Sequence, residues 1–448
     1  MNGVQIYTDP NHFQVKQEVF SSVEQVSRAK KLEIGEQVNI GFQGLGVAIT
    51  GSSCYELSLM EPEQRKAFLK EIYSKEGVGL SIGRLSIGAN DYSAELYSYA
   101  EVPNDMELKH FSVARDEKYI IPMIKEILEI NPDIFLFASP WSPPGWMKTG
   151  GSMCGGYMRE EYLECYANYV VKFVEAYAEH GITIKAITPQ NESNTDQYGR
   201  MPACIWHPQM EAKFIQILHD KFAEHNLDVK VWMYDHNFSD ANRVLWQLNE
   251  CKGLLDVCDG VAFHYYRGSI EETQKVSKAY PSLELHFTEG GPRLKDHYDC
   301  DWCKWGIMVA EALQHNYKSF TGWNLMLDET GGPNIGPYWC AGLATRHSVT
   351  GEVTYSGQYK AFSHIAPYIT PQSRISPIQV TDIFGEEIHC FPKHKREAVG
   401  FAIDNQDGKL VLVLMNPNES KMQTKLFRNG VWWYAELQPN SISTIILP

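Results

Sequence analysis

From Gly41 to Ile365 the chain switches repeatedly between two hydrophobic patterns. Short unbroken apolar runs, as made by strands buried on both faces, give way to a polar or glycine-rich stretch, and then to apolar residues recurring every three to four positions. The unit repeats eight times. Residues 41–49, 79–87, 133–139, 182–190, 228–236, 260–266, 283–289 and 319–327 are the predicted strands. Helices are predicted over 61–74, 118–130, 159–180, 208–225, 240–250, 271–279, 302–316 and 357–365. In 159–180 the pattern puts Leu163, Tyr166, Val170, Phe173 and Tyr177 on one face, and Gly181 ends the run.

Parallel strands need crossover helices, and an eighth strand can close on the first, so the repeat predicts an α/β fold, a (β/α)8 TIM barrel. An open nucleotide-binding sheet would place a glycine-rich loop at a helix start; the glycines of GFQGLG (41–46) lie within the first strand instead. After Ala366-Pro367 the pattern changes to short strands and turns, with a hairpin signal at Asn405-Gln406-Asp407-Gly408. The C-terminal tail and the N-terminal strands, HFQVKQEVF and KLEIGEQVNI among them, are expected to form one small all-β sandwich. The expected domains are a catalytic barrel over 39–366 and a discontinuous sandwich from 1–38 and 367–448.

Composition narrows the partners. The 448 residues carry a net charge of −15, against a nucleic-acid or anionic-membrane partner, both of which need clustered Lys and Arg. No apolar run approaches the ~20 residues of a membrane span. The first residues lack a basic start followed by an apolar segment, so a cytoplasmic protein is expected. Among ten cysteines the one close pair, Cys300 and Cys303, has no second pair at zinc-ligand spacing, and free thiols are expected. Eleven Trp and 24 Tyr supply faces that stack on sugars or fill the core.

Chemistry in such barrels collects at the C-terminal strand ends. Glu192 follows the fourth strand and Glu289 ends the seventh, on roughly opposite sides of the ring, so both can converge on one ligand. Asn-Glu also occurs at 249–250 and 418–419, so position carries the assignment. Arg84 on the second strand needs a carboxylate partner, through a structural ion pair or through the site. Asp91 is a helix cap, a solvated loop residue or a ligand-facing group. His264 and Tyr266 at the end of the sixth strand, and Tyr234, Asp235 and His236 at the end of the fifth, either line the pocket or pack beneath it. Asp235, His236 and His264 do not have the spacing of a known metal motif, so neither metal nor cofactor is expected. GLSIG (79–83) has the G-x-S-x-G spacing but lies within the predicted second strand and not at a strand-to-helix turn, so no nucleophile elbow is expected.

The ordered set GFQGLGVAIT, GLSIGRLSIGANDYS, FASPWSPPGWMK, ITPQNES, VAFHYY, FTEGG and GWNLMLDETGGPN resembles glycoside hydrolase family 30. That family includes glucosylceramidases, β-glucosidases, β-xylosidases and endo-β-1,6-glucanases. The resemblance implies a retaining mechanism with Glu192 as acid/base and Glu289 as nucleophile. Asn191 would then bind the sugar 2-hydroxyl and Arg84 would hold the nucleophile ionised. Asp91, Trp141, Trp323 and Asn324, with His264 and Tyr266, would line the sugar pocket. Burial and the neighbouring carboxylate are expected to lift Glu192 to ~6. The expected activity is an exo-acting, glucosylceramidase-like β-glucosidase working on a carbohydrate or small glycoside. The alternatives are endo-β-1,6-glucanase or β-xylosidase action, and, in another class, a non-catalytic carbohydrate-binding barrel.

Overall fold

The structure is a computed structural model that describes residues 3–24, 29–381, 387–388 and 399–448. Eight parallel strands close in chain order: β1 (Leu45–Ala48), β2 (Ile82–Ile87), β3 (Phe135–Pro140), β4 (Ala186–Ile187), β5 (Lys230–Asn237), β6 (Gly260–His264), β7 (Glu284–Glu289) and β8 (Tyr317–Gly322), with β8 pairing back onto β1. The expected helices cross over between them. In Leu163–Glu179 the five residues of the predicted stripe are all buried, and Gly357–Ile365 begins where the Ser356 hydroxyl caps the Tyr359 N–H. The fold is a (β/α)8 barrel with a β-sandwich.

Strand alternation stacks the barrel interior in layers. Ile82, Phe137, Ala186, Trp232 and Ala262 form an apolar floor, where the Trp232 indole stacks on His286 with centroids 3.6 Å apart. Two residues further along their strands, Arg84, Ser139, Thr188, His264 and Thr288 form a buried polar layer. Above it, Tyr92, Trp141, Met201 and Trp323 cluster at the mouth.

Several expected strands end early, each for a local reason. Only Ala186–Ile187 of the expected 182–190 is regular, because Pro189 lacks an N–H; the chain is still held to β3 by Thr188 N to Ala138 O and Asn191 N to Pro140 O. The first strand loses 41–44, where Gly41 and Gly44 have φ of 74° and 127°. The eighth stops at Gly322, and Asn324, at φ 58°, turns the chain so that Met326–Asp328 joins a separate sheet with Ala344–Arg346 and Val353–Tyr355. The sixth stops at His264, leaving Tyr266 on the following loop. A helix over Gly51–Ser58, capped by Thr50, had no counterpart in the repeat.

Strands from both chain ends interleave in the sandwich. One face orders Arg374–Thr381, Val399–Asp404, Leu410–Asn416, Ser441–Leu447, Gly3–Asp9 and His12–Ser22. The first and last of these run on into a second face with Lys30–Ile34, Met422–Arg428 and Val431–Leu437. Leu412, Leu414, Trp433 and Ile445 fill the space between the faces. Alternate residues, Phe401, Ile403, Val413, Met415 and Ile442, join the barrel's core. Burial on both faces accounts for the unbroken LVLVLM run at 410–415. Gly306 on helix Trp302–Gln314 permits the contact, since a Cβ there would lie 2.9 Å from Met415 Cγ. Replacing the fully buried Phe401 by Ala is expected to cost about 3–5 kcal/mol of stability. The check is a urea titration, with activity per folded molecule unchanged.

Candidate active site

The site is built around one guanidinium. Arg84, 1% exposed, donates from Nη2 to Asp235 Oδ2 and to Asn191 Oδ1, each at 2.8 Å, and from Nη1 to Glu289 Oε2. Its carbon lies 4.8 Å from the Trp141 ring centroid and 5.6 Å from that of Trp323. Burial alone would lower its pKa, but Asp235 and Glu289 more than reverse that, so it stays charged. Of the carboxylate partners expected for Arg84, the structure supplies two, Asp235 and Glu289.

Asp235 is fully buried and receives five donors: Arg84, His264 Nε2 at 3.0 Å, and the hydroxyls of Ser139, Thr188 and Thr288 at 3.0, 2.7 and 2.6 Å. Burial pushes its pKa up, but Arg84 and His264 outweigh burial and hold it well below the carboxylate range. His264 places Nδ1 3.4 Å from Glu192 Oε1 and Nε2 3.9 Å from Glu289 Oε2. Burial disfavours its proton, yet Glu289 and Asp235 raise its pKa to about 9.

Glu192 has a left-handed backbone, φ 54°, held by its N–H donating to Asp235 O at 2.9 Å. His236 Nε2 lies 3.2 Å from its Oε1, and Gln197 donates to its Oε2 while accepting from the Tyr338 hydroxyl at 2.6 Å. The expected rise of its pKa to ~6 is corrected here. Burial does push it up, but His236 and His264 pull it further down, so the free site holds Glu192 ionised. Glu289 accepts from the Tyr266 hydroxyl at 2.8 Å on its other oxygen. One oxygen of Glu192 and one of Glu289 lie within 4.8 Å of each other.

The remaining sequence-selected residues surround this pair. Asp91 is 4% exposed, its Oδ1 has no partner among the described residues, and its pKa is raised by burial and then by Glu289 and Glu192. Its loop is anchored by Asp116, which accepts from the hydroxyls of Tyr97, Tyr99 and Tyr177 at 2.6, 2.5 and 2.7 Å. The loop after β8 packs against Asp91: Ile335 N–H donates to Asp91 O at 2.8 Å, and a Cβ on Gly336 would lie 2.6 Å from Asp91 Cβ. Trp141 and Trp323 stack with centroids 5.3 Å apart. Asn324 is fully buried; its Oδ1 accepts from Thr50 at 2.9 Å, and its Nδ2 has no partner among the described residues.

Glu192, His264 and Glu289 each place a possible ligand atom within 4.8 Å of the others. Both His264 nitrogens already face carboxylates, Nε2 at Asp235 and Nδ1 at Glu192. Gln197 and Tyr338 went unnoticed in the sequence: a glutamine in a turn and a tyrosine 141 positions later carry no spacing signal. The nine cysteines among the described residues, Cys300 and Cys303 included, are free thiols. No helix among the described residues is long and apolar enough to cross a membrane.

A family model described as "Glycosyl hydrolase family 30 TIM-barrel domain" matches residues 42–366. The chain is 26% identical over 421 residues to an endo-1,6-beta-D-glucanase of Neurospora crassa, covering 91% of this chain and 85% of that protein. It is 28% identical over 316 residues to the lysosomal acid glucosylceramidase of Mus musculus, covering 65% of this chain and 61% of that one. Among solved structures, the endo-beta1,6-glucanase BT3312 superposes with a TM-score of 0.84 at 26% identity, covering 99% of both chains.

The charge cluster predicts how stability follows pH. The folded pKa of His264, about 9, lies above its ordinary value of 6.5, so its contribution is complete below 6.5 and is lost as pH rises through 9. Asp235 and Glu192 are depressed, so their contribution is present above about 4 and is lost as pH falls below it. Calorimetry should show the unfolding midpoint falling between pH 7 and 10, and falling less in His264→Gln.

Proposed function

The chain belongs to glycosyl hydrolase family 30 and is a glycoside hydrolase acting on carbohydrate; from that premise we propose that it is a retaining β-glycosidase working through a covalent glycosyl-enzyme. The observation that carries this reading is the approach of the Glu192 and Glu289 oxygens to within 4.8 Å. Retaining pairs stand about 5–5.5 Å apart, whereas inverting pairs leave roughly 6.5–9.5 Å for a water.

Glu289 is the nucleophile. Arg84 and the Tyr266 hydroxyl hold one oxygen each and steady the carboxylate beneath the anomeric carbon. Its attack forms an ester bond to that carbon as the glycosidic carbon–oxygen bond breaks, and the leaving oxygen takes a proton from Glu192. Since the free site holds Glu192 ionised, that proton comes from the imidazolium of His264, 3.4 Å away. In the second half Glu192, again a carboxylate, takes a proton from water as the water attacks the anomeric carbon and releases Glu289, and passes it back to His264 Nδ1, which restores the starting state. Asn191, fixed by Arg84, is oriented toward the sugar 2-hydroxyl.

The reading favours exo action on a β-glucoside. Asp91 keeps a buried acceptor oxygen for sugar hydroxyls, and the loop at Ile335 and Gly336 packs directly against that residue, an arrangement that suits a site ending at one sugar. Trp141 and Trp323 form the apolar wall of the same pocket. The glucanase relatives make endo action on β-1,6-glucan the second reading.

A panel of p-nitrophenyl β-glycosides, with the first-formed anomer followed by NMR, tests the proposal. The β-anomer and nitrophenol release without shortening of β-1,6-glucan are expected. Polymer shortening without aryl glucoside hydrolysis would replace exo by endo action, and the α-anomer would rule out retention. Glu289→Gln should abolish turnover. Glu192→Gln should lose about 10²–10⁴-fold on poor leaving groups while sparing nitrophenyl substrates at the first step. Chelators should change nothing.

A further inference from the structure

The backbone of β5 is irregular at its C-terminal end without a glycine to require it. Tyr234 and Asp235 have φ of 77° and 57°, a region that costs a non-glycine residue about 1 kcal/mol or more. The irregularity is a bulge: Tyr234 pairs with Ala262 of β6 and His236 with Phe263, leaving Asp235 as the extra residue. One strand further, Phe287 of β7 pairs with Phe263 and Glu289 with His264, leaving Thr288 extra. The two bulged side chains meet inside the barrel, Thr288 Oγ1 donating to Asp235 Oδ1 at 2.6 Å. A bulge on each of two of the site's strands, with left-handed backbone at Tyr234 and Asp235 on β5 and a buried carboxylate at its end, points to a group held for the chemistry rather than for the sheet.

We propose that Asp235 is a positioning residue of the reaction, acting on the attacking carboxylate through Arg84 and on the proton-handling carboxylate through His264. The proposal rests on the two-glutamate reading above. The two oxygens of Asp235 divide the work: Oδ2 takes Arg84 with Ser139 and Thr188, and Oδ1 takes His264 with Thr288. Each arm then reaches one glutamate, Arg84 Nη1 at Glu289 Oε2 and His264 Nδ1 at Glu192 Oε1. Asp235 lies below both and is fully buried.

His264 is faced by Asp235 of β5 at 3.0 Å, Glu192 of the loop after β4 at 3.4 Å and Glu289 of β7 at 3.9 Å. The His236 and Tyr266 rings stand edge-on to it at 5.9 and 6.1 Å, and Arg84 sits behind Asp235. Asp235 makes the closest of the three carboxylate contacts and is the one of the three with no exposed side-chain surface. A neutral group at 235 leaves Nε2 without its anion, so His264 sheds its proton at lower pH and Nδ1 can no longer supply Glu192. It also leaves Arg84 with one buried carboxylate in place of two, which frees the guanidinium to turn from Glu289.

The test is Asp235→Asn, which keeps shape and removes charge. In the ¹⁵N-histidine-labelled full chain, His264 should titrate near 9 in the wild type and at least about one unit lower in the variant. On a p-nitrophenyl β-glycoside that the wild type cleaves, the alkaline limb of kcat/KM should move down with it. kcat should fall about 100-fold, with KM changed less than ~3-fold. Thr288→Val, which removes a donor to the same carboxylate but no charge, should leave the alkaline limb in place. A purely structural Asp235 predicts the opposite, with activity falling only with the folded fraction and the His264 titration unmoved, and that result overturns the proposal. Should Asp235→Asn fail to fold, the titration in Glu289→Gln decides: His264 still protonated at pH 7 with residue 289 neutral sustains the proposal, and neutral His264 there refutes it. Glu289→Gln assayed alongside separates the failures. Activity in Glu289→Gln removes the two-glutamate reading itself, whereas an inactive Glu289→Gln with an unmoved His264 titration removes only the role of Asp235.

Discussion

A guanidinium out of reach of water must be matched by carboxylates, and Arg84 is matched by Asp235 and Glu289 together. Isolated, any of these charges would cost several kcal/mol to bury. Assembled, they compensate one another, and the His264 cation between Asp235 and Glu192 extends the same balance to the second glutamate. The rest of the mouth is arranged to keep this set in place. Ser139, Thr188 and Thr288 saturate Asp235, the Trp141 face covers Arg84, and the bulges in β5 and β7 point the required side chains inward.

That balance also decides protonation. Two carboxylates within 4.8 Å would by themselves raise one another's pKa, which is the usual route to a protonated acid. Here His236 and His264 beside Glu192 draw its pKa below the usual carboxylate range, while Glu289 and Asp235 raise that of His264 to about 9. For the proposed two-step reaction, this would leave the free site in the form that the second half needs, with the proton for the first half on His264, 3.4 Å from Glu192. The Asp91 oxygen without a partner among the described residues is polar capacity that, in the proposed function, a sugar's hydroxyls would use.

Much of this was legible from residue pattern alone. The eight-unit repeat reads directly as a barrel because both of its periods are local properties, and strand-end position singles out Glu192 and Glu289 without any contact information. What failed to show depends on departures from those periods. Alternation puts Asp235 on the face opposite Tyr234 and His236, so only a bulge, set by pairing with β6, makes it central. Pro189 shortened β4, and the left-handed Asn324 diverted the end of the eighth run into another sheet. The pKa of Glu192 was misjudged because its two histidines come from strands five and six, 44 and 72 positions away, and no spacing rule links them to it. The sandwich followed the same logic: the doubly buried run at 410–415 was visible, but the helix covering its second face was not.

The central claim is that Glu289 becomes covalently bonded to the sugar. Incubating the enzyme with a 2-deoxy-2-fluoro β-glycoside carrying a good leaving group slows the second half-reaction more than the first, and peptide mass spectrometry then locates the adduct. The account predicts a stoichiometric fluoroglycosyl ester on the peptide containing Glu289, absent in Glu289→Gln. An adduct on any other residue, or full turnover with no adduct and inverted product, would contradict it.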